Sequence, residues 1–158
     1  MPAPFSYPQA VAIAEVFARH GVRYLFLGKS GAILLGFPDT TQDADLFVEK
    51  SEVNGRALAA ALVDLGFPLD LTQRGELERG KDFVQIRTGP FDLDLVFAPD
   101  GIESFADAAR RAVFVEGIAV CHIDDIIRSK EAAHREKDLE SLPRLRGFRD
   151  WLHATRHG

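Results

Sequence analysis

The chain has 158 residues, of which 46% are hydrophobic and 27% charged, with a formal net charge of -5 and a single cysteine. That is enough sequence for one domain with its own core, and it excludes a collagen, a low-complexity coil, a disulfide scaffold and a cysteine-built metal centre. No apolar run approaches the roughly 20 residues of a membrane helix, and MPAPFSYPQ lacks the basic-then-apolar pattern of a secretory signal, so a cytoplasmic location is expected.

The first predicted element is a helix from Ser6–Gln9 to His20. Ser6 is its N-cap, Pro8 sits in the first turn, and Gly21 follows where a left-handed residue ends helices. Val11, Ala14, Phe17 and Ala18 form its expected apolar face. Val22–Leu27 is rich in β-formers and reads as a buried strand. A turn at 28–31 and a short helix at 32–35 follow, closed by Gly36 and Pro38. Ala44–Val48 is a second strand and Val53–Leu65 a second amphipathic helix. Phe83–Arg87 and Phe91–Phe97 read as strands joined in an antiparallel hairpin by Thr88-Gly89-Pro90. A helix over 103–111 and short strands around Gly117 come next. From Ile123 the pattern is helical, with Pro143 expected to start a new segment. The order implies an α/β (α+β) fold with a mixed sheet, read as a single domain over 1–158: a core to about residue 120, then C-terminal helices. Residues 1–120 hold 11 Lys/Arg against 17 Asp/Glu, and residues 121–158 hold 8 against 7 with four of the five histidines. No stretch forms the basic footprint of a nucleic-acid binder.

The chemistry concentrates in Gly28–Val48, GKSGAILLGFPDTTQDADLFV. Asp43 and Asp45 are two apart on a predicted strand, so their side chains share a face with Cα atoms about 7 Å apart. Such carboxylates repel and raise one another's pKa. A hard divalent cation such as Mg²⁺ relieves the repulsion. A solvated edge-strand pair is the alternative. In FDLDLVF, Asp92 and Asp94 again alternate with apolar residues. Carboxylates from two neighbouring strands can hold two cations for in-line phosphoryl displacement. Gly28-Lys29-Ser30 is not a P-loop, because Arg23 stands where its first glycine belongs. Asp92-Leu93-Asp94 lies too deep in the chain for a haloacid-dehalogenase-type nucleophile loop, and Asp43-Ala44-Asp45 lacks the glycine of a calcium loop. His20 is expected to suit a helix C-terminus. His122, His153 and His157 show no metal-ligand spacing with one another. Cys121 reads as a buried small hydrophobe. Trp151 joins Leu145, Phe148 and Leu152 on the expected apolar face of the last helix.

Together these residues resemble the minimal nucleotidyltransferases of the polymerase-β-type superfamily, in particular small bacterial proteins related to abortive-infection and toxin–antitoxin nucleotidyltransferases. The pattern is a strand, a small-residue turn, a short helix ending in Gly, Thr-x-Asp-x-Asp on a strand, and a third Asp on a later strand. It maps to Gly28, Gly36, Thr41, Asp43, Asp45 and Asp94. Asp94 fits better than Asp92 because Leu95-Val96 follows it. In the tail, Lys130, Lys137 and Asp138 match a Lys that precedes a basic-Asp pair. The resemblance implies transfer of a nucleoside monophosphate from an NTP to an acceptor hydroxyl, with Mg²⁺ or Mn²⁺ as cofactor. Asp43, Asp45 and Asp94 would be its catalytic metal ligands. Gly28, Lys29, Ser30 and Thr41 would bind the nucleotide, with Lys130 facing its phosphates. The implied acceptors are tRNA, a protein or a small molecule; a cognate toxin or antitoxin is an implied partner. Lys29 replaces the family's second small residue, Asp39 its common Arg, and His134 another Arg. These departures leave open a second reading, a nucleotide-binding protein or toxin–antitoxin component of this fold without transfer. By spacing alone, Lys130, His134 and Asp138 would share one helix face.

Overall fold

The computed structural model describes residues 3–156, apart from the side chains of Lys137 and Arg156. Helix α1 (Tyr7–His20) starts and ends as its sequence dictates: the Ser6 hydroxyl accepts from the Gln9 N–H, and Gly21 closes the helix at φ 68°. Its buried stripe is Ala10, Ile13, Val16 and Phe17, rotated from the expected face so that Ala18 is exposed. Strand β1 (Tyr24–Phe26) leads into α2 (Gly28–Leu34). Helix α2 begins where a turn was expected, because the chain reverses at Gly28 itself, at φ +60°. Strand β2 (Ala44–Val48) precedes α3 (Glu52–Asp64).

Helix α4 (Leu71–Arg79) was absent from the sequence reading. Only Leu77 of its residues is buried, so it has almost no apolar periodicity. Its signal is a capping box, with Asp70 accepting from the Gln73 N–H and Gln73 reaching back to the Asp70 N–H. It packs tightly on α3 at Gly55, where a Cβ would lie 2.4 Å from the Leu77 carbonyl oxygen.

The remaining elements are β3 (Phe83–Ile86), β4 (Leu93–Val96), α5 (Phe105–Arg111), β5 (Val113–Val115), β6 (Ile118–Val120), α6 (Ile123–Ala133) and α7 (Glu136–Arg156). The six strands form one mixed sheet in the order β3-β4-β2-β1-β6-β5. Strand β2 runs parallel to β4, and β1 parallel to β6; β1–β2, β3–β4 and β5–β6 are antiparallel. The expected hairpin is therefore β3–β4.

Pro143 does not start a segment: it lies inside α7. The break falls earlier, at His134, which caps α6 in the left-handed region at φ 55°. Pro143 is exposed, so the carbonyl its missing N–H leaves unpaired can turn to water.

Two apolar clusters cover the two faces of the sheet. Ala44, Leu46 and Val48 of β2 join Leu93 and Leu95 of β4 and the residues of α1 and α3. Leu25, Phe47, Ile126, Leu142, Leu145 and Phe148 form the second cluster, between the sheet and α2, α6 and α7. The period of two thus puts Asp45 on the second face, beside Phe47. Trp151 departs from expectation: Leu145, Phe148 and Leu152 are buried, but Trp151 is 58% exposed and stacks on the rim of Phe148. Among the described residues, no helix is long and apolar enough to cross a membrane.

Candidate functional site

Strands β2 and β4 bring the acids together. Asp45 pairs directly with Asp94 in the parallel register, so both carboxylates rise from the same face at neighbouring positions. Asp43 lies two residues before Asp45 on that face, just ahead of β2. Asp94 is buried, at 9% exposure, while Asp43 and Asp45 are half-buried. Asp92 falls outside β4, and its carboxylate accepts from Gln42 at 3.4 Å. The register therefore sets Asp94, and not Asp92, beside Asp45.

Helix α2 is built around Asp45. A Cβ on Gly28 would sit 2.4 Å from Asp45 Oδ2, so only glycine leaves room for that carboxylate. Ser30 is fully buried. Its hydroxyl donates to the Leu27 carbonyl at 3.0 Å and accepts from the Asp45 N–H at 2.9 Å. The hydroxyl faces the backbone, where it supplies a partner to the Asp45 N–H and shares the Leu27 carbonyl with the Gly31 N–H, which donates at 2.9 Å. Ser30 thus positions Asp45.

The electrostatics follow from this crowding. Burial pushes the Asp45 carboxyl well above the usual range, and the Asp94 carboxylate beside it adds to the rise; Lys130 offsets part of it and Asp43 adds a little. Lys130 itself donates to Asp138 Oδ1 at 3.0 Å. Asp138 is also reached by Arg135 at 3.3 Å. His134 does not share their face, since it ends α6 as its cap. The side chain of Lys137 is outside the described part of the chain.

Lys29 and Asp39, the two departures from the family pattern, pair with each other at 3.3 Å. Asp39 is held below the usual carboxylate range first by the Thr40 N–H, against the cost of burial, with Lys29 and Arg144 adding to the lowering. Arg144 of α7 donates to the same carboxylate at 3.1 Å and lies over the Phe37 ring. The loop between α2 and β2 is thereby tied to both helices. Thr41 contributes its carbonyl, which accepts from the Phe5 N–H at 3.0 Å.

Sequence reasoning missed Arg87. It follows the last residue of β3, opposite the strand that carries Asp94. It donates to Asp94 Oδ1 at 2.8 Å and to the Leu93 carbonyl at 3.2 Å, and lies 3.6 Å from Asp43 Oδ2. Burial works against its charge, and the carboxylates of Asp94, Asp43 and Asp92 outweigh that, keeping it above the ordinary arginine range. Its signal in the sequence was a lone cation ending a strand expected to pair with FDLDLVF.

The histidines need a correction. His122 and His153 are brought together with Asp124, their ligand atoms all within 4.8 Å of one another; His157 lies outside the described residues. The set draws on α6 and α7, 31 residues apart, which no local spacing reveals. It is poorly suited to a cation: the His122 ring already caps α6 by accepting from the Asp124 N–H at 3.1 Å, and the positive end of that helix dipole faces it. His20 sits in the last turn of α1 as expected and meets Asp64 across to α3. Cys121 is buried, with its thiol pushed up mainly by burial.

An open cleft of about 620 Å³ is lined by Gly101, Ile102, Glu103, Arg111 and Arg128, and so by none of the three carboxylates. Both arginines are engaged there by the buried Asp125, and Arg111 also by Glu103. The cleft records the ion network that joins α5 to α6.

The three carboxylates offer hard oxygen donors, and Gly28 leaves the space one of them occupies. That donor set fits Mg²⁺ or Mn²⁺, which favour carboxylate oxygens and bridge to phosphate.

No family model and no curated protein sequence matches the chain. Among solved structures it is similar to a proposed nucleotidyltransferase from Thermotoga maritima, with 13% identity, a TM-score of 0.52, and 95% of this chain and 96% of that chain covered. The fold is nucleotidyltransferase-like.

Proposed function

We propose that this protein is a metal-dependent nucleotidyltransferase, moving a nucleoside monophosphate from an NTP to an acceptor hydroxyl with pyrophosphate as the leaving group. One observation carries the reading: Asp45 and Asp94 stand side by side in register on two buried parallel strands, with Asp43 on the same face and Gly28 cleared for Asp45. Structural acids are seldom crowded at such electrostatic cost.

Asp43, Asp45 and Asp94 would hold Mg²⁺ or Mn²⁺. Bound there, the metal would polarise the phosphoryl oxygens and neutralise charge that develops during transfer. Asp94 completes the metal site or takes the proton of the acceptor hydroxyl. Gly28 lets the chain approach the triphosphate closely, Lys29 supplies a charge beside it, and Thr41 and Ser30 hold the surrounding backbone in place. Lys130, already close enough to act on Asp45, would face the phosphates. The acceptor is tRNA, a protein or a small molecule; a toxin or antitoxin partner follows the family resemblance alone. An NTP substrate and a buried, unpaired Cys121 both suit the cytoplasm.

A second reading, nucleotide binding without transfer, is favoured by the pairing of Lys29 with Asp39, which engages the cation nearest the turn. One experiment separates the two. Thermal stability is measured with each NTP and Mg²⁺, Mn²⁺ or EDTA, followed by pyrophosphate release in the presence of candidate acceptors. A ligand at about 100 times its Kd stabilises by about 2.7 kcal/mol, roughly 5–10 °C in Tm. Transfer predicts both signals, each lost in Asp43→Asn/Asp45→Asn. Binding alone predicts only the first. No NTP response would remove both readings.

A further inference from the structure

Arg87 has a role that none of the other basic residues near the site shares. Its Nη2 atom stands between two carboxylates, 2.8 Å from Asp94 Oδ1 and 3.6 Å from Asp43 Oδ2, while Nη1 is anchored on the Leu93 carbonyl. Asp94 is buried; Arg87 is 39% exposed at its side chain. The arginine thus reaches in from solvent to the acids.

A divalent cation held by the same acids would need their carboxylate oxygens as ligands. An oxygen lone pair that accepts from a guanidinium is not available to a metal. The positive charge of Arg87 also opposes a second cation drawn to Asp43 and Asp94. The anchor on Leu93 is a backbone contact on the strand itself, so it can persist while the Nη2 side pivots away.

Resting on the reading of Asp43, Asp45 and Asp94 as metal ligands, we propose that Arg87 is an internal competitor of the metal, a resident cation that must give up its carboxylate contacts as the ion is taken on. It is a positioning residue that sets metal affinity. The apparent affinity of the site is its intrinsic affinity reduced by the fraction of molecules in which Arg87 holds the acids. Arg87 also keeps the acids apart from random cations and limits their mutual repulsion until metal arrives, which explains why so crowded a face carries an arginine at its edge.

The test is Mn²⁺ binding to the full chain without nucleotide, read by electron paramagnetic resonance of the free ion, in wild type, Arg87→Gln, Asp45→Asn and the double variant. Arg87→Gln is expected to bind Mn²⁺ about tenfold tighter than wild type, because a charge-assisted contact has been removed from the competing state. Asp45→Asn should lose binding in either background. Unchanged or weaker binding by Arg87→Gln, with Asp45→Asn still abolishing it, overturns the competition and leaves the metal reading standing. No Mn²⁺ binding in any variant overturns both.

A second measurement serves if Arg87→Gln folds poorly. The side-chain Nε–H resonance of Arg87 is followed by NMR during a Mg²⁺ titration of wild type and Asp45→Asn. It should shift and sharpen in wild type as the guanidinium is released, and stay still in Asp45→Asn. A wild-type resonance unmoved when Mg²⁺ saturates the site would overturn the proposal.

Discussion

The hydroxyl of Ser30 accepts the backbone N–H of Asp45 at 2.9 Å and donates to the carbonyl of Leu27 at 3.0 Å. Three elements meet in that contact: the end of β1, the first turn of α2 and the start of β2. Ser30→Ala takes the hydroxyl partner from the Asp45 N–H, while the Leu27 carbonyl keeps the Gly31 N–H at 2.9 Å, so it is expected to destabilise the fold by about 1–3 kcal/mol. It should also weaken Mn²⁺ binding, since Asp45 loses its backbone anchor. Urea unfolding and the Mn²⁺ titration read the two effects. A destabilised variant with unaltered Mn²⁺ affinity would show that Ser30 supports the fold and not the placement of Asp45.

Gly28→Ala tests the space that Asp45 fills. The added Cβ would lie 2.4 Å from Asp45 Oδ2, on a backbone held at φ +60°. The left-handed conformation alone costs an L-residue about 1–2 kcal/mol, and the clash must push the carboxylate aside. Gly117→Ala is the control: φ is +85° but a Cβ there meets nothing within 4 Å. Both should lose stability by similar amounts on backbone grounds, and only Gly28→Ala should lose Mn²⁺ binding. Equal Mn²⁺ affinity in the two variants would remove Gly28 from the site.

Asp45→Asn should stabilise the protein in EDTA at neutral pH. Its carboxyl is pushed up by burial and by Asp94, so the charged form is penalised in the fold. Neutralising a strained site residue commonly adds about 0.5–2 kcal/mol, a rise of roughly 2–6 °C in Tm for a chain of this size. The same variant should have no transfer activity. A Tm below that of wild type would mean that Asp45 is held by contacts stronger than the repulsion it suffers.

The acid limb of the stability curve should report Glu103. Hydrogen bonds from Arg111, chiefly, hold its carboxyl at about 2, down from 4.5. A depressed folded-state value means that the unfolded chain takes up the proton first as pH falls. The stabilisation is complete above about pH 4.5 and disappears as pH falls towards 2. Urea midpoints of wild type and Glu103→Gln should differ by a constant amount from pH 5 to 7 and converge below pH 4.5. A gap that does not change with pH would show that the pair contributes through packing alone.

Lys130→Met should cost stability as well as activity. The ammonium is 11% exposed and its partner Asp138 carboxylate 7% exposed, so removal leaves a buried charge with only Arg135 beside it. Breaking a buried pair in this way costs about 3–5 kcal/mol, and the remaining arginine should hold the loss to about 2 kcal/mol. Lys130→Met/Asp138→Leu should recover much of the stability without restoring activity. Recovery of activity in the double variant would assign Lys130 a purely structural role.

The sequence by itself determined the local features, because they depend on neighbours within a few residues. Ser6 caps α1 as its spacing requires and Gly21 ends that helix, and alternation in DADLFV and FDLDLVF puts the acids on the face opposite Ala44, Leu46, Leu93 and Leu95. The mixed sheet, the β3–β4 hairpin and the helical C-terminus follow from such patterns, whereas the grouping of Asp94 with Asp43 and Asp45 was implied by the family resemblance alone. Tertiary structure decided what depends on register and on residues distant in the chain. It chose Asp94 over Asp92 by pairing it with Asp45, turned Ser30 inward, joined Lys29 to Asp39, and brought Arg87 between two carboxylates. It gathered His122 and His153 from separate helices, left Trp151 in solvent, and ran α7 through Pro143 on an exposed face where water can satisfy the freed carbonyl. Patterning says which face a side chain takes; only the packed chain says which charges then meet, since Coulomb energy depends on distances that sequence separation does not record.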